Sequence, residues 1–348
     1  MKIGKILLIL GCCVWGSRNV QSQDVQLSQY YNAPLYLNPA FAGTAENTRV
    51  GINYRTQWRG IEKPFNSVSL FADHNLEPYN SGIGILYFRD TQGDSRLTTN
   101  EFSVMYSYTV NINDSWVFKP GLQAGFVSRD INYGSMVFGD QLNNNGQTNA
   151  STADPIVAAG NSKVYGDFSA GGLFYNENAW MGLSFHHLNT PNQAFSKADI
   201  QDLPMKFSAH AGYKFYLSGG APKSKSYRGS STEVSLTPTF LFKKQGQASQ
   251  LDLGTYLTYD ILMAGLWYRG VPVVKNDTGL GGTEALVLML GAYFQGATFG
   301  YSYDYTLSGL RGSGSVHELS LIYEFEIKYK KFRKSKNTPC PKFHRRYQ

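Results

Sequence analysis

Residues 299–306 read Phe-Gly-Tyr-Ser-Tyr-Asp-Tyr-Thr. Phe299, Tyr301, Tyr303 and Tyr305 fall on one parity, and Gly300, Ser302, Asp304 and Thr306 on the other. A β-strand sends successive side chains to opposite faces, so the segment has an aromatic face and a small or polar one. A helix would spread the tyrosines around its cylinder. What the aromatic face looks at, a protein core or lipid, decides the fold.

The same alternation recurs along most of the chain. Val50, Ile52 and Tyr54 alternate with Gly51, Asn53 and Arg55, and Phe102 to Val110 alternate with Ser103 to Asn111. Phe207 to Phe215, Val234 to Phe242, Leu251 to Leu257 and Leu319 to Ile327 repeat the pattern. Noisier segments near 81–89, 116–129, 163–175, 180–187, 261–269 and 285–294 are bounded by turn residues and complete a set of about 14 strands. Most run to about 9–14 residues, the length a tilted membrane-spanning strand needs and longer than an ordinary globular strand. The polar parity carries Arg55, Lys206, Lys214, Asp252 and Asp304. The expected fold is an all-β transmembrane antiparallel β-barrel, with those charges in its lumen and outer-membrane lipid around it.

Composition agrees. The 348 residues include 24 Tyr, 21 Phe and 36 Gly, and only 16% are charged. Aromatic residues and glycine favour strands and turns. A mean hydropathy of −0.30 excludes a bundle of membrane-spanning helices.

The N-terminus reads as a targeting segment: Lys2 and Lys5, then apolar Ile6–Trp15, then Val20-Gln21-Ser22 with small residues placed for cleavage after Ser22. Leu10-Gly11-Cys12 makes a poor lipidation motif, because the apolar run before Cys12 is short. The expected organisation is a signal peptide at 1–22, a periplasmic N-terminal segment at 23–46, an outer-membrane barrel at 47–327 and a basic periplasmic tail at 328–348. Cleavage removes Cys12 and Cys13 and leaves Cys340, so no internal disulfide can staple the fold. Without the leader's Lys2, Lys5 and Arg18 the formal charge falls from +7 to +4. The nine Lys and Arg of 328–348, which contains no acid, leave about −5 for the body. The basic character belongs to the tail, which argues against a nucleic-acid partner.

Loop lengths supply an orientation. If the first strand rises from the periplasm, the outer connections include 90–98, 134–161, 189–204, 270–283 and 306–314. The inner ones include 111–115, 176–178, 259–261 and 295–297. Long outer loops and short inner turns are what transmembrane barrels have. Two connections break the rule: 217–230 is long on the inner side, and 243–249 is short on the outer side.

Signatures of chemistry are sparse. His186 and His187 are adjacent, so within a strand they point opposite ways and read as polar residues at a barrel rim. No cysteine pair has zinc-ligand spacing, and no phosphate loop or nucleophile elbow is present. Ser184 and His186 share a strand face by a common coincidence. No catalytic residue, metal or cofactor is expected. Glu318, Glu324 and Glu326 form an acidic stripe, either facing the lumen or meeting a basic segment such as the tail. The tail itself reads as solvated, as bound to an anionic surface, or as a partner-docking peptide. Pro339-Cys340-Pro341-Lys342-Phe343 favours docking. Lys328, Lys331, Arg333, Lys334, Cys340, Pro341, Phe343, Arg345 and Arg346 are its candidate residues. Cys340 is either an idle thiol or half of an intermolecular disulfide.

Gln29–Gly43, QYYNAPLYLNPAFAG, followed by Tyr54-Arg55-Thr56-Gln57-Trp58, resembles the N-terminus of the PorP/SprF family of Bacteroidetes membrane proteins. Ser302-Tyr303-Asp304, His317-Glu318-Leu319-Ser320-Leu321 and Cys340-Pro341-Lys342-Phe343 resemble its C-terminal end. The resemblance implies a non-enzymatic outer-membrane component of the type IX secretion system and the linked gliding machinery in a Gram-negative bacterium. It implies periplasmic ring and peptidoglycan-binding partners, or the C-terminal region of a secreted adhesin. Tyr30, Tyr31, Asn38, Pro39 and Phe41 join the tail as candidate docking residues. The alternative, from the polar lumen, is a channel for small solutes.

Overall fold

The computed structural model describes residues 24–348 apart from 94, 144–145, 148–150, 159, 197–198, 219–231, 271–284, 308–313, 328–339 and 342–348. Fourteen antiparallel strands close into one barrel. They are β1 (Thr48–Gln57), β2 (Phe65–Leu76), β3 (Ser81–Gln92) and β4 (Leu97–Tyr108, continued at Val110–Asn111). Next come β5 (Val117–Asp130), β6 (Ser162–Tyr175), β7 (Ala179–His186) and β8 (Lys206–Tyr213, continued at Phe215–Ser218). Then follow β9 (Val234–Gln245), β10 (Ala248–Tyr259), β11 (Leu262–Arg269), β12 (Ala285–Phe294), β13 (Ala297–Thr306) and β14 (Val316–Phe325). Each strand pairs with its sequence neighbours, and β14 closes on β1 from Thr48↔Phe325 to Gln57↔Val316. Full closure leaves no edge strand with unpaired backbone groups, which is what a lipid environment demands.

Two strands break at legible places. Pro120 in β5 lies level with Tyr108, and β4 loses its ladder just beyond, at Thr109. Pro238 in β9 lies level with Tyr213, and β8 breaks at Lys214. Proline has no N–H to give to a neighbour, so the adjoining strand parts there. On the side away from each proline the ladder continues past the break: Thr109 donates to the Asn80 carbonyl at 2.6 Å, in register with the β3–β4 pairing, and Lys214 to that of Asn178 at 2.7 Å, in register with the β7–β8 pairing.

The parity read from residues 299–306 is the parity of the wall. Phe299, Tyr301 and Tyr305 are exposed on the outside, while Ser302 and Asp304 are buried inside. Around the barrel Ile52, Leu70, Ile85, Val104, Leu122, Phe168, Leu290 and Leu319 make the same outward apolar face. A continuous apolar belt on a closed barrel is a lipid face. Arg55, Lys214, Asp252 and Asp304 are buried in the lumen.

Most connections sort between the two ends as expected, with one departure. At the end where β1 begins, 77–80, 112–116, 176–178, 260–261 and 295–296 are short, and 219–233 is the long exception. At the other end 131–161 and 187–205 are long, but 93–96 and Gly246–Gln247 are short; the expected long connection at 90–98 is a four-residue turn because β3 and β4 pair out to Gln92 and Leu97.

Candidate functional site: a lumen closed by the chain itself

The segment before β1 does not sit beside the barrel. It fills it. Asp24 lies at the long-loop end, hydrogen-bonded to Gln245, His187 and Lys206. Gly43 lies at the short-turn end, against Asp73 and Lys119. Between them, Pro34 and Pro39 confine the segment to three short turns: Tyr30–Asn32, Pro34–Leu37 and Pro39–Phe41. Asn38 caps the third, its Oδ1 accepting the Ala40 N–H at 2.9 Å. Leu27, Leu35, Leu37, Ala40 and Phe41 are buried.

Four groups of wall residues hold this plug. Nearest the long-loop end, the Asp24 carboxylate accepts from Lys206 at 2.5 Å and meets His187 Nε2 at 2.8 Å. Burial opposes the charge on Asp24, yet Lys206 and His187 keep its carboxyl well below the usual range. One step deeper, Glu318 accepts the backbone N–H groups of Ser28 and Gln29 at 2.7 and 3.0 Å. Ser28 Oγ donates to Asp304 at 2.6 Å, and Arg55 and Arg269 enclose the cluster. At mid-depth the Leu37 carbonyl faces Ser184 Oγ at 2.9 Å and His186 Nε2 at 3.3 Å. Asn38 Nδ2 donates to the Gly172 and Leu183 carbonyls. Last, Lys119 Nζ donates to the Gly43 carbonyl at 2.9 Å, and Asp73 accepts the Gly43 N–H while pairing with Arg49.

Aromatic contacts fill the space between. Tyr30 meets Trp267 edge-on at 5.1 Å, Tyr31 meets Trp180 at 5.5 Å, and Phe41 stacks on His210 at 5.4 Å. Two inward glycines show how close the fit is. A Cβ on Gly82 would collide with the Ala42 carbonyl, and one on Gly121 would lie 2.6 Å from Ala40 Cα. Any side chain there would push the plug away.

Several expectations change. Tyr30, Asn38, Pro39 and Phe41 are buried in the lumen and Tyr31 is half-buried, so they are no free docking surface. The segment follows its wall contacts because its polar groups find partners only there. His186 and His187 do not point apart. β7 ends at His186, and His187 takes a left-handed φ of 59° that turns it inward to Asp24 and Asp167. Both are buried parts of the plug contact rather than rim residues. Ser184 and His186 address the same carbonyl rather than each other. The acidic stripe divides: Glu318 clamps the plug, Glu324 lines the short-turn mouth and Glu326 is exposed.

At that mouth a cavity of about 90 Å³ is bordered by Tyr31, Arg49, Met263, Tyr293 and Glu324, and Cys340 and Pro341 return from the tail to line it. Cys340 is a buried thiol packed into the core cluster. Burial of this kind does not suit an intermolecular disulfide. The other tail candidates, Lys328, Lys331, Arg333, Lys334, Phe343, Arg345 and Arg346, lie outside the described residues.

The model of the family described as type IX secretion system membrane protein PorP/SprF matches residues 19–323, from the plug through almost the whole barrel. The chain belongs to the PorP/SprF family. No curated protein matches it. Among solved structures, the Pseudomonas putida toluene transporter TodX is similar at 10% identity and a TM-score of 0.46, over 85% of this chain and 95% of that one. The CymD monoaromatic hydrocarbon channel is similar at 12% identity and 0.46, over 85% and 93%. The Acinetobacter baumannii outer membrane protein Omp33 is similar at 6% and 0.43, over 80% and 98%. Likenesses this distant imply no shared ligand. For this PorP/SprF protein the plugged lumen and the tail-lined mouth are the features a function must use.

Proposed function

We propose that this PorP/SprF protein is a non-enzymatic outer-membrane component of the type IX secretion system and the linked gliding machinery. It docks periplasmic ring and peptidoglycan-binding partners, or assists export of particular surface adhesins, rather than passing solutes. The observation that carries this reading is the filled lumen: the chain's own residues 24–45 occupy the space a solute would need. By the loop-length rule the short-turn end faces the periplasm. The tail begins at that end, and its basic residues are the docking element on the periplasmic side.

The test compares the full chain with a variant in which all nine Lys and Arg of residues 328–348 are replaced by Gln, which spares Cys340. Adhesin secretion and co-purification of periplasmic partners are measured at equal barrel levels. Loss of both is expected; unchanged secretion and partner recovery would end the docking reading. The solute-channel alternative predicts steady single-channel conductance of the intact protein in planar bilayers, whereas a docking barrel stays closed.

A further inference from the structure

A second cavity of about 90 Å³ opens in the long-loop half of the lumen. One of its walls is unusual in charge. Asp90 on β3 and Glu101 on β4 face it from neighbouring strands, Asp90 pairing in register with Thr99 and Glu101 with Phe88. Their partners are all neutral. Ser67 and Gln92 donate to Asp90 at 2.7 and 2.6 Å, and Ser103 and Gln123 to Glu101 at 2.7 and 3.0 Å. Six other lumen carboxylates have a basic partner: Asp24, Asp73, Asp167, Asp252, Asp304 and Glu318. Among the described residues Asp90 and Glu101 have none within ion-pair distance.

A third acceptor stands beside them. Gln123 is 5% exposed and lines the same cavity. Its Nε2 donates to Glu101 and Ser103, and its buried Oε1 accepts no hydrogen bond from the described residues. The basic groups of the opposite wall are already engaged. Lys206 and His187 hold Asp24, and Arg129 donates to the carbonyl and side chain of Gln193.

Two carboxylates and a bare amide oxygen around a small space match a compact cation with several N–H donors. A primary ammonium offers three. We propose that this cavity is a binding site for a primary ammonium group. Two sources have that chemistry. One is a lysine-like side chain entering from the long-loop end. The other is the chain's own α-ammonium, because Asp24 lines the cavity and cleavage after Ser22 would leave the amino terminus one residue away. The second source rests on the leader reading.

The experiment uses the folded barrel in detergent and its D90N/E101Q variant, isosteric changes whose neutral partners remain; gel heat-modifiability checks that both are folded. Titration calorimetry with Nα-acetyl-lysine amide, against Nα-acetyl-norleucine amide as control, reads the external source. Saturable binding of the lysine compound alone, weakened at least tenfold in the variant, supports it. Amine-selective labelling of the α-amine reads the internal source. Protection in the parent and reactivity in the variant support that one. A freely reactive α-amine together with no lysine binding, or binding unchanged in the variant, overturns the proposal. Intact mass separates the two readings. A retained leader, a different cleavage site or a cyclised Gln23 refutes the cleavage reading, and the lysine titration then decides the site by itself.

Discussion

Glu318, on the last strand, accepts the backbone N–H of Ser28 at 2.7 Å across 290 residues of sequence. The same carboxylate takes the next N–H, from Gln29, and pairs with Arg55 at 3.3 Å. One wall residue therefore joins the beginning of the described chain to its end. The Glu318→Ala variant leaves two buried N–H groups and a guanidinium short of a partner. A loss of about 3 kcal/mol is expected, in the range for removing one member of a buried charged pair. Urea unfolding in detergent measures it; a change below about 0.5 kcal/mol would contradict the clamp.

Gly82 and Gly121 test the plug through its backbone, Gly82 at the Ala42 carbonyl that also accepts from Ser107 Oγ and Gly121 at Ala40. Each faces plug backbone too closely for a side chain. Gly82→Val and Gly121→Val should keep the barrel, since valine suits a strand, while expelling the plug. The expected result is protease cleavage within residues 24–45 and channel openings in planar bilayers where the parent is silent. A silent, protease-resistant variant would show that the plug can shift and still seal.

The long-loop anchor should depend on pH from both sides. Asp24 is held below its ordinary value of 3.8, so its contribution is present above that pH and is lost as pH falls through its lower folded value. Burial works against protonation of His187, but Asp24 and Asp167 outweigh it and raise the imidazole from 6.5 to about 10. Its contribution is complete below about pH 6.5 and disappears as pH rises through about 10. Protease protection of the segment should be greatest between pH 4 and 6.5 and should decline toward pH 10. The His187→Gln variant should lose the alkaline decline while keeping the acid one.

Cys340 is buried at the short-turn mouth. A maleimide reagent should label it slowly in the folded protein and rapidly in urea, and non-reducing gels should show monomer. Cys340→Ser should change stability by about 1 kcal/mol or less, because the thiol packs as a small apolar group. Fast labelling of the folded protein would place the tail outside the mouth.

The sequence by itself determined the wall. Strand periodicity is local, so residues 299–306 and their counterparts announced which side of each strand is apolar. Loop lengths sorted most connections between the two ends, with the exceptions at 217–230 and 243–249 visible in advance, but missed that 90–98 holds only a four-residue turn. Only the tertiary structure decided what the polar face looks at. Alternation says that Arg55, Asp304 and Glu318 share a side; it cannot say that Ser28 and Gln29 lie among them, because that contact closes nearly the whole length of the chain. The same holds for His187, whose turn inward depends on one left-handed residue at a strand end and on carboxylates from two distant segments. The N-terminal motif was visible as a motif. Its burial was not, since prolines and aromatics suit a docked surface and a plug equally until the barrel closes around them.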